Sequence, residues 1–451
     1  MFKKLLFVLS LLTFSVSIGI AQTIENDFCG HRFEIEKNIQ KNPNYLQWQN
    51  SLFQEAMQKF QEIESSKRKI NSDTEYYEIK VVFHVLYNNT EQNINEAFIQ
   101  DQMLVLNNAF RKKNGDTTRI RDIFKAIAAD TRIQFVLADK DPQGNPTNGI
   151  TRTPTSRTTF SINRIGQYST DMKYTSRGGR NAWDPTKYLN IWVCNMRFPD
   201  QISMTLGFAT PPTNAPNWDG FNATKDTTDP ETGVVCHFST IGRNHPQAIN
   251  ANVEAKTLVH EVGHFLGLRH TWGDGGGTAQ GCNVDDGIMD TPNSRDRNYS
   301  CNNRPNTCND AIDDKPDMTE NYMDYALDNC SAMFTAQQAF MMRFVLNKLR
   351  TGLPFRKINF DTIPDFVKVI LYPNPTFNNQ NTNILIESPN NNEDFIASMI
   401  DMNGKQIFEL NLLSNSKSNL PTAVLANGIY FILVREKESG KIISKQKLLI
   451  N

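Results

Sequence analysis

Three of the seven histidines fall within eleven residues, His260-Glu261-Val262-Gly263-His264-Phe265-Leu266-Gly267-Leu268-Arg269-His270. On a helix, side chains four apart project from one face about one turn above each other, so His260 and His264 can close on a single ion. Imidazole binds Zn²⁺ at about 2.0–2.1 Å. Gly267 tolerates the left-handed backbone that ends a helix, after which the chain can turn back and offer His270 as a third ligand. Three protein ligands leave a fourth position open, which suits hydrolysis, whereas a structural zinc is closed by four. Glu261, beside the first ligand, can take a proton from a water at that position. The alternative is a coincidence of surface histidines; the helix-compatible run 251–259 just upstream argues against it.

Such a triad needs a rigid frame. The chain has 451 residues, enough for about two to four folded units. Hydrophobic residues at 39% and charged residues at 21% exclude a collagen, a coiled coil or a wholly disordered chain. Lys+Arg 47 against Asp+Glu 48 leaves a net charge of −1, with no overall field to gather phosphates, so nucleic acid is not an expected partner. The runs 79–87, 133–137, 188–194 and 233–238 are β-branched and aromatic and predict strands, while 95–112 carries Ile99, Met103, Leu106 and Phe110 at helical spacing. This mixture predicts an α/β or α+β domain over 75–352, and α+β is the class expected. His84, inside the first strand, reads as a core or supporting residue, and His237 and His245 stay unassigned. Past Pro354, short β-type runs alternate with turn signals such as Asn403-Gly404 and Asn427-Gly428, predicting a small all-β sandwich over 366–451.

Lys3 and Lys4 precede an apolar stretch, 5–20, and small residues Gly19 and Ala21, the parts of a secretory signal over 1–21. An uncleaved anchor is the alternative, but the stretch is short for a membrane span, and no transmembrane segment is expected in the mature chain. Residues 22–70 are polar and helix-compatible and end in Lys67-Arg68-Lys69, a run open to trypsin-like cleavage if exposed. Export makes disulfides the default for seven cysteines. Cys282, Cys301, Cys308 and Cys330 cluster and allow three pairings. Cys194 and Cys236, in two strand-like runs, form a third bridge or remain small buried thiols. Asp285, Asp286, Asp290 and Thr291 offer hard oxygen donors in a glycine-containing loop, which suits Ca²⁺ or a solvated acidic loop equally in type.

The stretch 260–270 resembles the long zinc signature of the metzincin metallopeptidases, and Asn321-Tyr322-Met323-Asp324-Tyr325 resembles their methionine turn. Phe83-His84-Val85, Leu189-Asn190-Ile191-Trp192-Val193, Leu206-Gly207-Phe208-Ala209, Asp290-Thr291-Pro292 and Phe334-Thr335 with Gln338 are similar to the pappalysin/ulilysin-type, cytophagalysin-like enzymes, over 75–350. The resemblance implies a mixed twisted sheet with active-site and backing helices above an irregular, disulfide-stapled lower part. It implies that Met323 is an apolar floor and not a ligand, and that Tyr325 swings near the metal to donate to the developing oxyanion. It implies the pairs Cys282–Cys308 and Cys301–Cys330, and it favours Asp286, the carbonyl of Met289 and Thr291, with Asp274 in addition, for calcium. By the same resemblance Gly207, Phe208 and Ala209 lie on an edge strand that binds extended peptides, with Pro211-Pro212 ending it. Asp328 stands where related enzymes select Arg or Lys just after the cleaved bond. Cys29-Gly30 resembles the cysteine switch of latent precursors, the alternative being a dispensable thiol.

Leu371-Tyr372-Pro373-Asn374-Pro375, Ile400-Asp401-Met402-Asn403-Gly404-Lys405, Leu425-Ala426-Asn427-Gly428-Ile429-Tyr430 and Lys445-Gln446-Lys447-Leu448 resemble the β-sandwich sorting domain of the type IX secretion route. That implies the type IX machinery as a partner and a secreted or surface location; a carbohydrate- or protein-binding module is the alternative. The expectation is a secreted zinc endopeptidase acting on proteins or peptides: signal 1–21, pro-segment 22–70, catalytic domain 71–355, sorting domain 366–451. Its rival is an inactive adhesin on a metalloprotease scaffold, against which the intact set His260, Glu261, His264 and His270 weighs.

Overall fold

The computed structural model describes residues 29–65, 76–161, 170–197, 205–213, 229–248, 253–273, 281–301, 305–310, 314–353, 368–372, 374–376, 380–388, 393–440 and 442–450. The predicted signal, the run Lys67-Arg68-Lys69 and Asp274 lie outside the described residues.

Helices α1 (His31–Lys41) and α2 (Tyr45–Ser65) lead into strand β1 (Tyr77–Tyr87), helix α3 (Glu96–Phe110) and the single turn α4 (Asp122–Lys125). Strands β2 (Ile133–Leu137), β3 (Ile150–Pro154), β4 (Phe160–Ser161), β5 (Leu189–Cys194), β6 (Met196–Arg197), β7 (Gly207–Ala209) and β8 (Val234–His237) follow, then helices α5 (Thr257–Phe265) and α6 (Ala336–Lys348). β1 is long enough to pair in parallel with β2 along its first half and β3 along its second, and with β5 on its other side. The main sheet runs β2-β1-β5-β8-β7, with only the edge strand β7 antiparallel to its neighbour. β4 and β6 form a separate parallel pair. The unit is α+β, as predicted.

Strand parity sorts the side chains into two cores. Phe83, Ile191, Val193, Val234, Cys236 and Ala209 face the core that holds Leu106 of α3, Leu258 and Val262 of α5, and Met341 and Val345 of α6. Leu86, Trp192, Cys194, Val235 and Phe208 face the other way. This corrects one expectation: Cys194 and Cys236 are both free thiols. β5 and β8 align Val193 with Cys236, so the two cysteines differ by one residue in register and point to opposite faces of the sheet. Burial raises both thiols well above the ordinary range. His84 is fully buried, donates from Nε2 to Asn190 Oδ1 at 2.9 Å and is pushed down to about 4 by burial, as fits a core histidine.

The described residues between 281 and 330 are largely irregular and carry two disulfides, Cys282–Cys308 and Cys301–Cys330, with Cα separations of 5.5 and 5.7 Å. α6 begins with a capping box, Thr335 and Gln338 each bonding the other's backbone N–H. Ile35 of α1 and Tyr45, Trp48, Leu52 and Phe53 of α2 belong to the same core as α5 and α6. Polar ties reinforce this: Tyr45 OH donates to the Pro212 carbonyl at 3.0 Å, and Arg269 donates to Gln49 Oε1 at 2.8 Å.

The C-terminal unit holds β9 (Lys368–Tyr372), β10 (Thr382–Glu387), β11 (Asp394–Asp401), β12 (Gln406–Leu413), β13 (Lys417–Leu420), β14 (Gly428–Glu436) and β15 (Ile442–Ile450). They form two antiparallel sheets, β13-β10-β9 and β12-β11-β14-β15, closed on a core of alternating residues such as Phe395, Ala397 and Met399. Among the described residues no helix is long and apolar enough to cross a membrane.

Candidate active site

α5 carries His260, Glu261 and His264, and Gly267, at φ 94°, turns the chain so that His270 comes back beneath them. The Nε2 atom of His264 lies 3.0 Å from that of His260 and 3.1 Å from that of His270. The Nδ1 atom of His260 is 2.6 Å from the Tyr322 carbonyl, and that of His264 is 2.8 Å from the Leu268 carbonyl. Carbonyls only accept, so both Nδ1 atoms carry the proton and both Nε2 atoms present lone pairs. Lone pairs this close cannot hydrogen-bond to one another. A cation between them resolves the repulsion, and tetrahedral Zn²⁺ would set such nitrogens roughly 3.3 Å apart. The residues fit the metal that the spacing predicted. Cys29 completes the set: its Sγ and one nitrogen of each histidine all lie within 4.8 Å of one another.

Glu261 is buried and packs directly against Gly207; a Cβ at position 207 would sit 2.6 Å from Glu261 Cγ. The Cys29 thiol approaches Glu261 Oε2 at 3.6 Å. Cys29 also bridges in parallel to Gly207, and Gly30 N donates to the Gly207 carbonyl at 2.8 Å. The segment leading into α1 therefore lies along the edge strand β7 and over the histidines at once. Met323 is fully buried under Gly263, where any Cβ would collide with its sulfur. Tyr325 OH donates to the Cys29 carbonyl at 3.5 Å, and its ring stands edge-on to His270 at 5.0 Å.

Two aromatic rings support the histidines. His31 stacks on His264 with centroids 3.8 Å apart, and Trp272 stacks on His270 at 4.4 Å. Trp272 sits two residues past the third histidine and His31 two residues past Cys29, so proximity in the chain flags both. A cleft opens beside His260, lined by Leu206, Tyr322, Tyr325 and Asp328 among others. Asp328 accepts from the backbone N–H groups of Glu254 and Lys256, and burial nonetheless pushes it up to about 7. Asp324, buried and bonded by Asn298, is likewise pushed up to about 7 by burial.

Of the calcium candidates, Asp286 and Thr291 meet, the hydroxyl donating to Asp286 Oδ2 at 2.8 Å. The Met289 N–H donates to Gln337 Oε1 at 2.9 Å. A cation is already nearby: the Lys447 ammonium of the sandwich pairs with Asp285 and donates to the Ile288 carbonyl at 3.3 Å. His237 is buried, bonded to Asn195 and Ser239 and pushed down to about 3, and it stands apart from the triad.

Residues 173–347 match the family described as pregnancy-associated plasma protein-A, and residues 370–451 match the secretion system C-terminal sorting domain. Mirolysin in complex with a small compound is 38% identical, with a TM-score of 0.53, covering 62% of this chain and 97% of that one. Promirolysin from Tannerella forsythia is 34% identical, with a TM-score of 0.56, covering 72% of this chain and 97% of that one. An extracellular metalloprotease of Arthroderma benhamiae is 33% identical over 134 residues, 26% of this chain and 44% of that protein. One of Coccidioides posadasii is 32% identical over 159 residues, 35% and 51% respectively. The match thus spans about half the length of these fungal relatives.

Proposed function

We propose a function from one premise: this chain belongs to the metallopeptidase family described as pregnancy-associated plasma protein-A. It is a secreted zinc-dependent endopeptidase, made as a latent precursor. What carries this reading is the convergence of three imidazoles on one point, with a buried carboxylate beside them and a thiol on the open side. Zn²⁺ held by His260, His264 and His270 would supply Lewis acidity and acidify a water toward a pKa of about 7. Glu261 takes the proton of the attacking water and returns it to the leaving amine. Tyr325 donates its phenol hydrogen to the carbonyl oxygen as charge develops there. β7 pairs with an extended peptide along the edge that Cys29 and Gly30 occupy in the precursor. Met323 gives the ligands an apolar floor.

Latency follows from the same contacts: Cys29 fills the open side and keeps water from Glu261. The promirolysin match covers 72% of this chain against 62% for mirolysin, which supports an N-terminal pro-segment. The division is signal 1–21, pro-segment 22–70, catalytic domain 71–355 and sorting domain 366–451, the last engaging the type IX machinery for delivery outside the cell. Asp328, lining the cleft, favours Arg or Lys just after the cut. Asp286, Thr291 and the carbonyl of Met289 hold Ca²⁺.

Glu261→Ala tests the core of this. Cleavage of casein by the matured protein falls by about a thousandfold or more, while zinc content is unchanged. Wild-type protein freed of its pro-segment that binds zinc yet leaves casein intact would overturn the reading in favour of a binding protein.

A further inference from the structure

Lys37 on α1 sets its ammonium 2.6 Å from Glu231 Oε2. Glu231 itself is held entirely by the unit that remains after maturation. Its carboxylate accepts from Thr170 Oγ1 at 2.6 Å and from Tyr174 OH at 3.0 Å. Its backbone carbonyl accepts from Thr210 Oγ1 at 2.8 Å and from the buried Lys173 ammonium at 2.6 Å. Thr210 directly follows β7. Burial alone would raise the Glu231 carboxyl, but Lys37, Thr170 and Lys173 hold it down to about 2. Glu34, one turn earlier on α1, lies 3.6 Å from the same ammonium and is also buried.

The position along β7 gives this ion pair a meaning. Cys29 enters at Gly207, over the histidines, and α1 then carries the chain to the Thr210 end. The cleft beside His260 lies at the other end, where Leu206 lines it. From Gly207 to Thr210 is three residues, or about 10 Å of strand. When α1 leaves, Glu231 keeps its two hydrogen-bond donors and the Lys173 charge behind it but loses the ammonium that touches its carboxylate, and the carboxylate is left open to a side chain of a peptide that replaces the segment on that edge.

We infer that Glu231, framed by Thr170 and Tyr174, is a subsite for a Lys or Arg side chain of the substrate, about three or four residues from the cut on the flank opposite the cleft, and that Lys37 is the pro-segment's stand-in for it. This deepens the peptidase reading and rests on it, and the subsite is separate from Asp328. A fork of guanidinium donors or an ammonium replaces Lys37 on a carboxylate already fixed in place, so little ordering is needed on binding.

The test uses metal-loaded protein freed of its pro-segment and peptides that differ at one residue, Lys, Arg, norleucine or Glu, at the third or fourth place from the cut on either flank. Lys and Arg exceed norleucine by about tenfold in kcat/KM on one flank, and the difference sits in KM. Glu231→Gln keeps both neighbouring hydrogen bonds and brings that ratio close to one; Glu231→Lys turns it toward Glu. A wild-type ratio near one on both flanks, with the norleucine peptide still cut, overturns the subsite and leaves the peptidase reading standing. So does a preference that survives intact in Glu231→Gln. Fluorescence anisotropy of the same peptides on Glu261→Ala protein reads the ratio without turnover, so absent cleavage cannot hide the answer.

Discussion

Gly207 is a glycine because Glu261 needs its space. A methyl group there would press on the Glu261 stem at 2.6 Å, and the backbone of β7 cannot retreat without breaking its ladder to β8. Gly207→Ala therefore shifts the carboxylate by a fraction of an ångström to an ångström, and kcat/KM falls by about a hundredfold. Zinc content, measured by atomic absorption, stays at the wild-type level because no candidate ligand moves; loss of metal together with activity would refute this. Asp328 yields a second prediction. Its carboxyl ordinarily ionises near 3.8 and in the fold holds its proton to about 7 because it is buried. Between those values the folded state binds more protons than the unfolded one, so stability falls as pH rises through that window. Asn at this position has no such dependence. The Tm of Asp328→Asn relative to wild type therefore climbs from pH 4 to pH 8, and a flat difference would count against the assignment. The histidine set was legible in the sequence because one helix and one glycine turn fix its geometry locally. The face of Cys194 relative to Cys236 was not, because it depends on a one-residue register between parallel strands joined by a long connection.

α2 shows what an element adds. The apolar spacing of residues 45–65 revealed a helix, but not that Trp48, Leu52, Phe53, Ala56 and Met57 would enter the same core as α6. Each large side chain so buried contributes about 1.5–3 kcal/mol, against about 1 kcal/mol or less for a half-exposed ion pair such as Lys348 with Glu55. The segment of α1 and α2 is held chiefly by this packing and not by the Cys29 thiol. Cleavage at Lys67-Arg68-Lys69 alone thus leaves α1 and α2 in place. Nicked protein co-elutes with its pro-segment on gel filtration and cuts casein no faster than the intact precursor. The double variant Leu52→Ala with Phe53→Ala, losing about 2–5 kcal/mol per site, releases the segment and gains activity on nicking. Full activity of the wild-type chain immediately after the nick would show that the helix packing does not hold the segment. The hairpin of β11 and β12 was readable for the opposite reason: the Asn403-Gly404 turn between two β-type runs specifies a pairing partner nearby, whereas the docking of α2 depends on side chains some 290 residues away, as in Lys348 with Glu55.

Across the whole molecule, a net charge of −1 conceals local pairing between distant units. Lys447 of β15 is half-buried against Asp285, and Asp286 and Asp310 add to the field that favours its charged form. Gln61 of α2 joins the same contact, donating to the Lys445 carbonyl at 2.8 Å and accepting from the Lys445 N–H at 3.2 Å. The sandwich is thereby seated on the acidic loop and on α2 together. If that loop holds Ca²⁺, an ammonium beside Asp285 and Asp286 opposes the ion electrostatically, and each cation weakens the other. A ligand at a hundred times its Kd stabilises a fold by about 2.7 kcal/mol, and the ammonium cuts into that gain by raising the Kd. Calcium therefore raises the Tm of Lys447→Ala full-length chain by several degrees more than that of the wild type. Asp286→Asn in the same background abolishes the shift, since Asp286 would supply the central carboxylate. Equal calcium shifts with and without Lys447 would mean that the loop and the sandwich are uncoupled, and no shift in either chain would remove calcium from this loop altogether.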